Sequence, residues 1–297
     1  GRYTVSNGNS SLFNSDALLS YNKKVNEDWN FNVNLGGNIR NDRNSSLSSN
    51  TGVGMIVPDF WTLSNTLDGI TSNNPGPNMD VHSAYAFANI GWKNAVFLDV
   101  TGRNDWSSTL PAANRSYFYP SVGLSVILSD LIETPEFLSF AKLRGSWAKV
   151  GSGGPAYMLN RTATFSPGGN NGYLQLSSIL PNSDLRPEET KSLEYGVDLS
   201  FFGDRIGLNI TGYKTNTVNQ LFTVALPPGS GASQFFTNGG DVENTGVELG
   251  LTSIPLKTAN FKWDNSLTFS RNRNLINKLN ILLYSKQISM EKFLNIL

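Results

Sequence analysis

A chain of 297 residues with 23 basic and 23 acidic side chains carries no net charge, which removes broad electrostatic attraction to nucleic acid. Charged residues make up 15% of it, against about a quarter in ordinary soluble domains, and Cys is absent, which removes disulfides, thiol catalysis and Cys-based metal sites. One His (His82) leaves neither a zinc site nor a His-based triad to be expected, and no run of about 18 apolar residues exists to cross a membrane as a helix.

The chain opens Gly1-Arg2-Tyr3, without a signal-peptide pattern, and is read as a mature product or an internal piece. A first strand is expected at about 12–21. The second is the clearest: Trp29, Phe31, Val33, Leu35, Gly37 and Ile39 alternate with Asn30, Asn32, Asn34, Gly36, Asn38 and Arg40. A helix would scatter these residues around its circumference, whereas a strand sorts them onto an apolar and a polar face. Further strands are expected at about 82–92, 95–104, 117–128 and 141–149. Clean alternation returns in Leu193, Tyr195, Val197, Leu199 and Phe201, then in Ile206, Leu208 and Ile210, then in Val247, Leu249 and Leu251, and last in Phe261, Trp263, Leu267 and Phe269. Roughly ten strands result, most near the length of about 9–11 residues that crosses a membrane at a tilt. After Asn274 the alternation stops, and residues 275–297 are set apart as an atypical tail of the kind a truncation or frame-shift would leave.

The polar positions are filled by Asn, Asp, Glu, Ser, Gly and Thr, which suits a wet, crowded lumen. Short links at about 22–28, 93–94, 203–204 and 253–259 nearly alternate with long ones at about 41–81, 150–190 and 217–241; those at 105–116 and 129–140 are intermediate. This is the rhythm of short turns and long loops in outer-membrane barrels. Trp29, Trp92, Phe201, Phe202, Phe261 and Trp263 sit beside the short links, as an interfacial aromatic girdle requires.

Four segments go beyond pattern. Gly102-Arg103-Asn104-Asp105-Trp106-Ser107-Ser108, with Arg115 and Tyr119-Pro120-Ser121, is the first, and Leu143-Arg144-Gly145-Ser146-Trp147 with Val150-Gly151 is the second. The third is Asn182-Ser183-Asp184-Leu185-Arg186-Pro187-Glu188-Glu189-Thr190, leading to Glu194 and Gly196. The fourth is Asn238-Gly239-Gly240-Asp241-Val242-Glu243-Asn244-Thr245-Gly246-Val247-Glu248-Leu249. In order and content they resemble the barrel motifs of SusC/RagA-type TonB-dependent transporters, and the resemblance covers about residues 12–274. On the residues themselves, Arg103, Asp105 and Arg115 are expected to pair near a strand end, Pro187 to end irregular chain, and Gly246 and Gly250 to leave room for neighbouring side chains. Structural roles are favoured for all of them over ligand binding.

The resemblance implies an all-β fold: residues 1–274 as about ten strands of a transmembrane antiparallel β-barrel of about 22 strands, an open curved sheet when taken alone. It implies a cell outer membrane location, with lipid around the barrel and a SusD-like lipoprotein capping its outer side. It also implies a glycan or peptide substrate imported as oligosaccharide or oligopeptide, and a TonB complex acting through an N-terminal plug region outside this sequence. It implies no enzyme activity, no cofactor and no nucleic-acid partner.

No catalytic, cofactor-binding or metal-binding residue is expected, and the residues that meet substrate are not assigned. The Gly-rich Val150-Gly151-Ser152-Gly153-Gly154-Pro155 lacks the Gly-Lys-Ser/Thr of a phosphate loop. Asp99, Glu194, Asp198 and Glu248 show no spacing that singles out a glycosidase pair and read as solvated lumen carboxylates. His82 opens a strand without a ligand-spaced partner. Two other classes fit the alternation: a passive porin or surface adhesin barrel, and a soluble carbohydrate-binding β-protein.

Overall fold

The computed structural model describes residues 1–279 except 53, 67 and 167–171. Long antiparallel strands form one sheet: β1 (Thr4–Lys24), β2 (Trp29–Asn50), β4 (Met79–Trp92), β5 (Val96–Ser107), β6 (Ser116–Ile127), β7 (Leu138–Ser152), β11 (Glu188–Phe201), β12 (Ile206–Ala225), β13 (Gln234–Lys257) and β14 (Lys262–Lys278). Each pairs with the next in this order, so the chain runs as a meander. Shorter strands occupy the links. β3 (Ile70–Pro75) continues the pairing along β2 beyond the start of β4, β8 (Ala163–Ser166) and β9 (Tyr173–Leu176) form a separate hairpin, and β10 (Ile179–Leu180) lies parallel to the start of β13. The sheet is open. Among the described residues, β1 pairs only with β2, and β14 only with β13.

Every long strand expected from alternation is present, most of them with extended limits. The links fall on two sides. Those at 25–28, 93–95, 128–137, 202–205 and 258–261 share one end of the sheet, here the turn end. Those at 51–78, 108–115, 153–187 and 226–233 share the other, the loop end. The two-residue turn Lys93-Asn94, both at φ 52°, has the left-handed geometry that matches the twist of the strands it joins. One expectation fails: 217–241 is not a long loop. β12 and β13 stay paired as far as Ala225 and Gln234, leaving only 226–233 between them. The turn-like Asn219 and Gly239-Gly240 mislead because Asn219 (φ 56°) and Gly240 (φ 85°) lie opposite each other within the ladder, as a local irregularity and not a reversal. β14 carries the sheet to Lys278, past the boundary expected at 274; residues 280–297 of the expected tail lie outside the described residues.

Paired residues share a face, so the register carries one apolar surface across the whole sheet. Leu35 lies opposite Leu19 and Ala86, Val100 opposite Ala88 and Val122, Val197 opposite Leu143 and Ile210, and Leu249 opposite Ile210 and Phe269. Leu19, Leu35 and Phe269 are more than half exposed, and Val100, Val122 and Leu143 are also exposed. Among the described residues no second layer covers them, which a soluble sandwich would require. Along β2 the apolar run from Trp29 to Ile39 rises about 33 Å, or about 23 Å perpendicular to a membrane at a tilt of about 45°.

The ends of this belt are marked. At the turn end Trp29 stacks on Phe31 (5.9 Å between ring centres) and meets Trp92 (6.3 Å), while Phe137, Phe201 and Phe202 contact one another at 6.4 Å. The Lys93 ammonium lies 5.0 Å from the centre of the Trp92 ring. At the loop end the same face turns polar, with ion pairs Arg43–Asp80 (2.6 Å), Lys149–Glu189 (2.8 Å) and Lys214–Glu243 (3.0 Å). Such exposed pairs add little stability. Their value here is positional, since charge begins where the belt stops.

Candidate functional site

The opposite face is built from the alternate residues of the same strands, and its chemistry is concentrated in two clusters. In the first, β5 supplies Arg103 and Asp105, joined at 2.7 Å, with Asp105 buried. The Tyr119 hydroxyl on β6 donates to the other carboxylate oxygen, and Arg103 also donates to Ser83 on β4 at 2.7 Å. The guanidinium lies 5.7 Å from the centre of the Tyr85 ring, and the Tyr85 hydroxyl donates to Asp16 on β1 at 2.7 Å. The connection thus runs from β1 to β6. It crosses β2 at Gly36, where a Cβ would stand 2.3 Å from the Tyr85 ring; only glycine lets the ring lie flat across that strand.

In the second cluster, Arg144 on β7 donates to Thr211 on β12 at 2.5 Å and lies 3.7 Å from Asp198 on β11, which also accepts from Asn209. Gly196 leaves room for the guanidinium, since a Cβ there would come within 2.9 Å of it. Beside this cluster is a shallow recess of about 170 Å³ lined by Asp99, Ser125, Ser146 and Glu194. Both clusters combine a guanidinium with hydroxyls and carboxylates on an otherwise small-residue surface, and the second adds the Asn209 amide. Such a surface offers donors and acceptors to a passing polar molecule and has little apolar area to hold it.

The loop end is tied down over this face. Leu110, Met158 and Leu185 are buried together, with Tyr117, Leu221 and Phe236 packed against them. The Asn238 side chain closes a clamp, accepting from the Arg186 backbone N–H at 2.7 Å and donating to the carbonyls of Arg186 and Asn219, both at 2.8 Å. Asn114 donates to the Leu185 carbonyl at 3.0 Å, and the Leu221 N–H donates to Glu188 at 2.5 Å. Thr109, also buried, donates to the Gly153 carbonyl at 2.9 Å. The links 108–115 and 153–187 are therefore held to each other by Asn114 and Thr109, and to the strands by Asn238 and Glu188 of the fourth and third motif segments.

The structure brings some expected residues together and separates others. Arg103 and Asp105 pair, but Arg115 does not join them; it lies beside Trp106 and His82, which belong to the opposite face. Pro187 ends the irregular segment and β11 starts at Glu188. Gly246 makes room for Tyr213, whose ring would be 2.4 Å from a Cβ, whereas a Cβ at Gly250 would meet only an ordinary contact at 3.8 Å. Of the weighed carboxylates, Asp198 binds Arg144 and Asp99 accepts from Asn89, while Glu194 lines the recess. Sequence reasoning missed Asp16 and Tyr85 as members of the first cluster, and Asn238 as a clamp. Glycines on the polar face opposite tyrosines were the available signal. Beyond the belt, the hydrogen bond from Asn41, with those and the charge of Arg43, holds the Asp80 carboxyl below the usual carboxylate range against the opposing effect of partial burial.

Known proteins place this arrangement. A family model described as TonB dependent receptor-like, beta-barrel, matches residues 1–287. TonB-dependent receptor P26 of Formosa agariphila is 27% identical over 288 residues, covering 93% of this chain and 29% of the relative. TonB-dependent receptor SusC of Bacteroides thetaiotaomicron is 29% identical over 208 residues, 66% of this chain and 21% of that protein. The solved structure of the RagAB peptide transporter matches with a TM-score of 0.81 at 24% identity, over 94% of this chain and 31% of the transporter chain. The chain thus spans less than a third of the length of each of these proteins.

Proposed function

Given that this chain belongs to the TonB-dependent receptor-like β-barrel family of the outer membrane of Gram-negative bacteria, we propose that it forms part of the wall of an energised importer of oligosaccharides or peptides. The observation that carries this reading is the two-faced sheet. An apolar belt runs unbroken across the strands, and the arginine, tyrosine and carboxylate clusters sit on the face behind it. A polar face of this kind lines a lumen through which hydrated molecules pass; the apolar face meets lipid. The similar RagAB structure, a peptide transporter, supports the peptide part of the substrate class, and the similar SusC supports a TonB-dependent receptor. A SusD-like lipoprotein over the loop end and a TonB complex acting on a region outside this sequence complete the proposal. So does the absence of catalysis, since family members are receptors and transporters. The barrel segment, first expected over 1–274, is taken to include β14 to Lys278, with an atypical tail after it.

The test is uptake of labelled oligosaccharide and oligopeptide by cells carrying the intact gene. Arg103→Ala and Arg144→Ala are expected to lower uptake severalfold at unchanged outer-membrane abundance, and collapse of the proton gradient is expected to abolish it. Uptake that persists without the gradient would identify a passive pore and overturn the proposal.

A further inference from the structure

Another recess lies on the other side of the sheet. It has a volume of about 290 Å³ and opens on the apolar face at the loop-end edge of the belt, lined by Asp80, His82, Trp106, Ser108 and Arg115. His82 and Trp106 are register partners and form the last aromatic pair before the surface turns polar. The rim is closed by two hydrogen bonds of 2.9 Å, from the Ser108 N–H to the Asp80 carbonyl and from the Asp80 N–H to the Ser108 hydroxyl.

Among the described residues, the Arg115 guanidinium, the His82 imidazole and the Trp106 indole N–H make no hydrogen bond, and all three border this recess. The carboxylate there does not cancel the guanidinium. Asp80 is already paired with Arg43 at 2.6 Å and accepts from Asn41, so Arg115 leaves the site with a net positive charge. Below the recess β4 presents Ala84, Ala86 and Ala88 on the apolar face, between Leu35 and Val33 on β2 and Val100 on β5. With Gly37 opposite Ala84 and Gly102 opposite Ala86, these small residues make a low trough down the belt, bordered by Leu35, Val33 and Val100 and by the Phe118 ring beside Gly102.

We propose that this recess binds the phosphate headgroup of a membrane lipid from the loop-end leaflet, with an acyl chain lying along the β4 alanine trough. A guanidinium matches a phosphate with paired, charge-assisted hydrogen bonds. The Trp106 ring sits at the depth where an indole keeps its body in apolar surroundings and its N–H among headgroups. The combination of cation, indole and apolar trough selects an amphiphile over a free anion. The inference rests on the reading that the apolar face meets lipid, and its test is independent of transport.

The intact receptor, purified in detergent, is exchanged into nanodiscs of phosphatidylcholine with or without phosphatidylglycerol, and lipid retained on re-extraction is measured by native mass spectrometry. Retention of the anionic phospholipid is expected, and Arg115→Gln should weaken it about tenfold, as loss of charge-assisted hydrogen bonds implies. Ala86→Phe, which fills the trough and leaves Arg115 in place, should also reduce retention. Millimolar inorganic phosphate should not displace the lipid. Equal retention by the wild type and both variants would overturn the proposal, and so would complete displacement by inorganic phosphate, which would mark a simple anion site. Uptake by the variants, measured as above, separates failure of this site from failure of the importer reading.

Discussion

At the scale of single residues the polar face depends on glycines that are occupied by someone else's ring. Tyr85 lies over Gly36, and Tyr213 over Gly246. A flat tyrosine keeps its hydroxyl within the sheet's own network, where Tyr85 reaches Asp16, and keeps its bulk out of the open space beyond. Gly36→Val is therefore expected to lower the thermal unfolding temperature of the detergent-solubilised receptor, by an overpacking cost of about 1–3 kcal/mol. Tyr85→Ala in the same background should recover part of that loss, a coupling that a double-mutant cycle reads directly. At this scale the sequence was only partly legible. Arg103 and Asp105 are two residues apart on one strand and so had to share a face, and their pairing could be anticipated. Asp16, Tyr85 and Tyr119 come to them from three other strands, and their arrival depends on register, which alternation leaves open by even steps.

Strands were the most legible level, because a one-sided surface forces period-two patterning wherever one face meets an apolar medium. Legibility ended where that medium ends. β12 and β13 leave the belt near Gly212 and Val247, and beyond it the apolar residues that remain, Leu221 and Phe236, pack on the small loop-end cluster; with no sustained apolar alternation to mark them, 217–225 and 234–241 looked like loop. This upper region is held by that cluster together with specific hydrogen bonds, of which those of Asn238 are the clearest. Asn238→Ala removes three hydrogen bonds to backbone and should cost about 1–3 kcal/mol locally. The expected readout is faster amide exchange over residues 182–190 in the intact receptor, with exchange in the belt strands unchanged. Uniform acceleration along all strands would show instead that the clamp supports the whole barrel.

For the whole molecule the governing fact is an open sheet. Among the described residues, β1 and β14 each have one unpaired side. In lipid an unpaired strand edge leaves backbone donors and acceptors without partners, and in water it recruits other edges. Expressed alone with an export signal, the 297-residue segment is expected to collect in aggregates and to show no heat-dependent shift in gel mobility, the mark of a closed barrel. The full-length receptor should show that shift. A folded, heat-modifiable product from the segment would mean that its edges can close on each other. Ten long strands were predictable from pattern; closure was not, because it is set by the number of strands and their stagger around the barrel, which no local stretch encodes.

The overshoot of the strands at the loop end bears on how a cell carrying this receptor is seen from outside. β13 runs from Val247 up to Gln234 before it turns, about 43 Å of strand, or about 30 Å of height at a tilt of about 45°. Paired to β12 along that length, it rises as a stiff palisade. Antibodies or phage tail fibres that approach the cell would meet epitopes assembled from neighbouring strands, not the tips of flexible loops. Antisera raised against the native surface should then lose recognition on boiling, and bacteria escaping such recognition should do so by substitutions in adjacent strands and not by changes within one linear peptide.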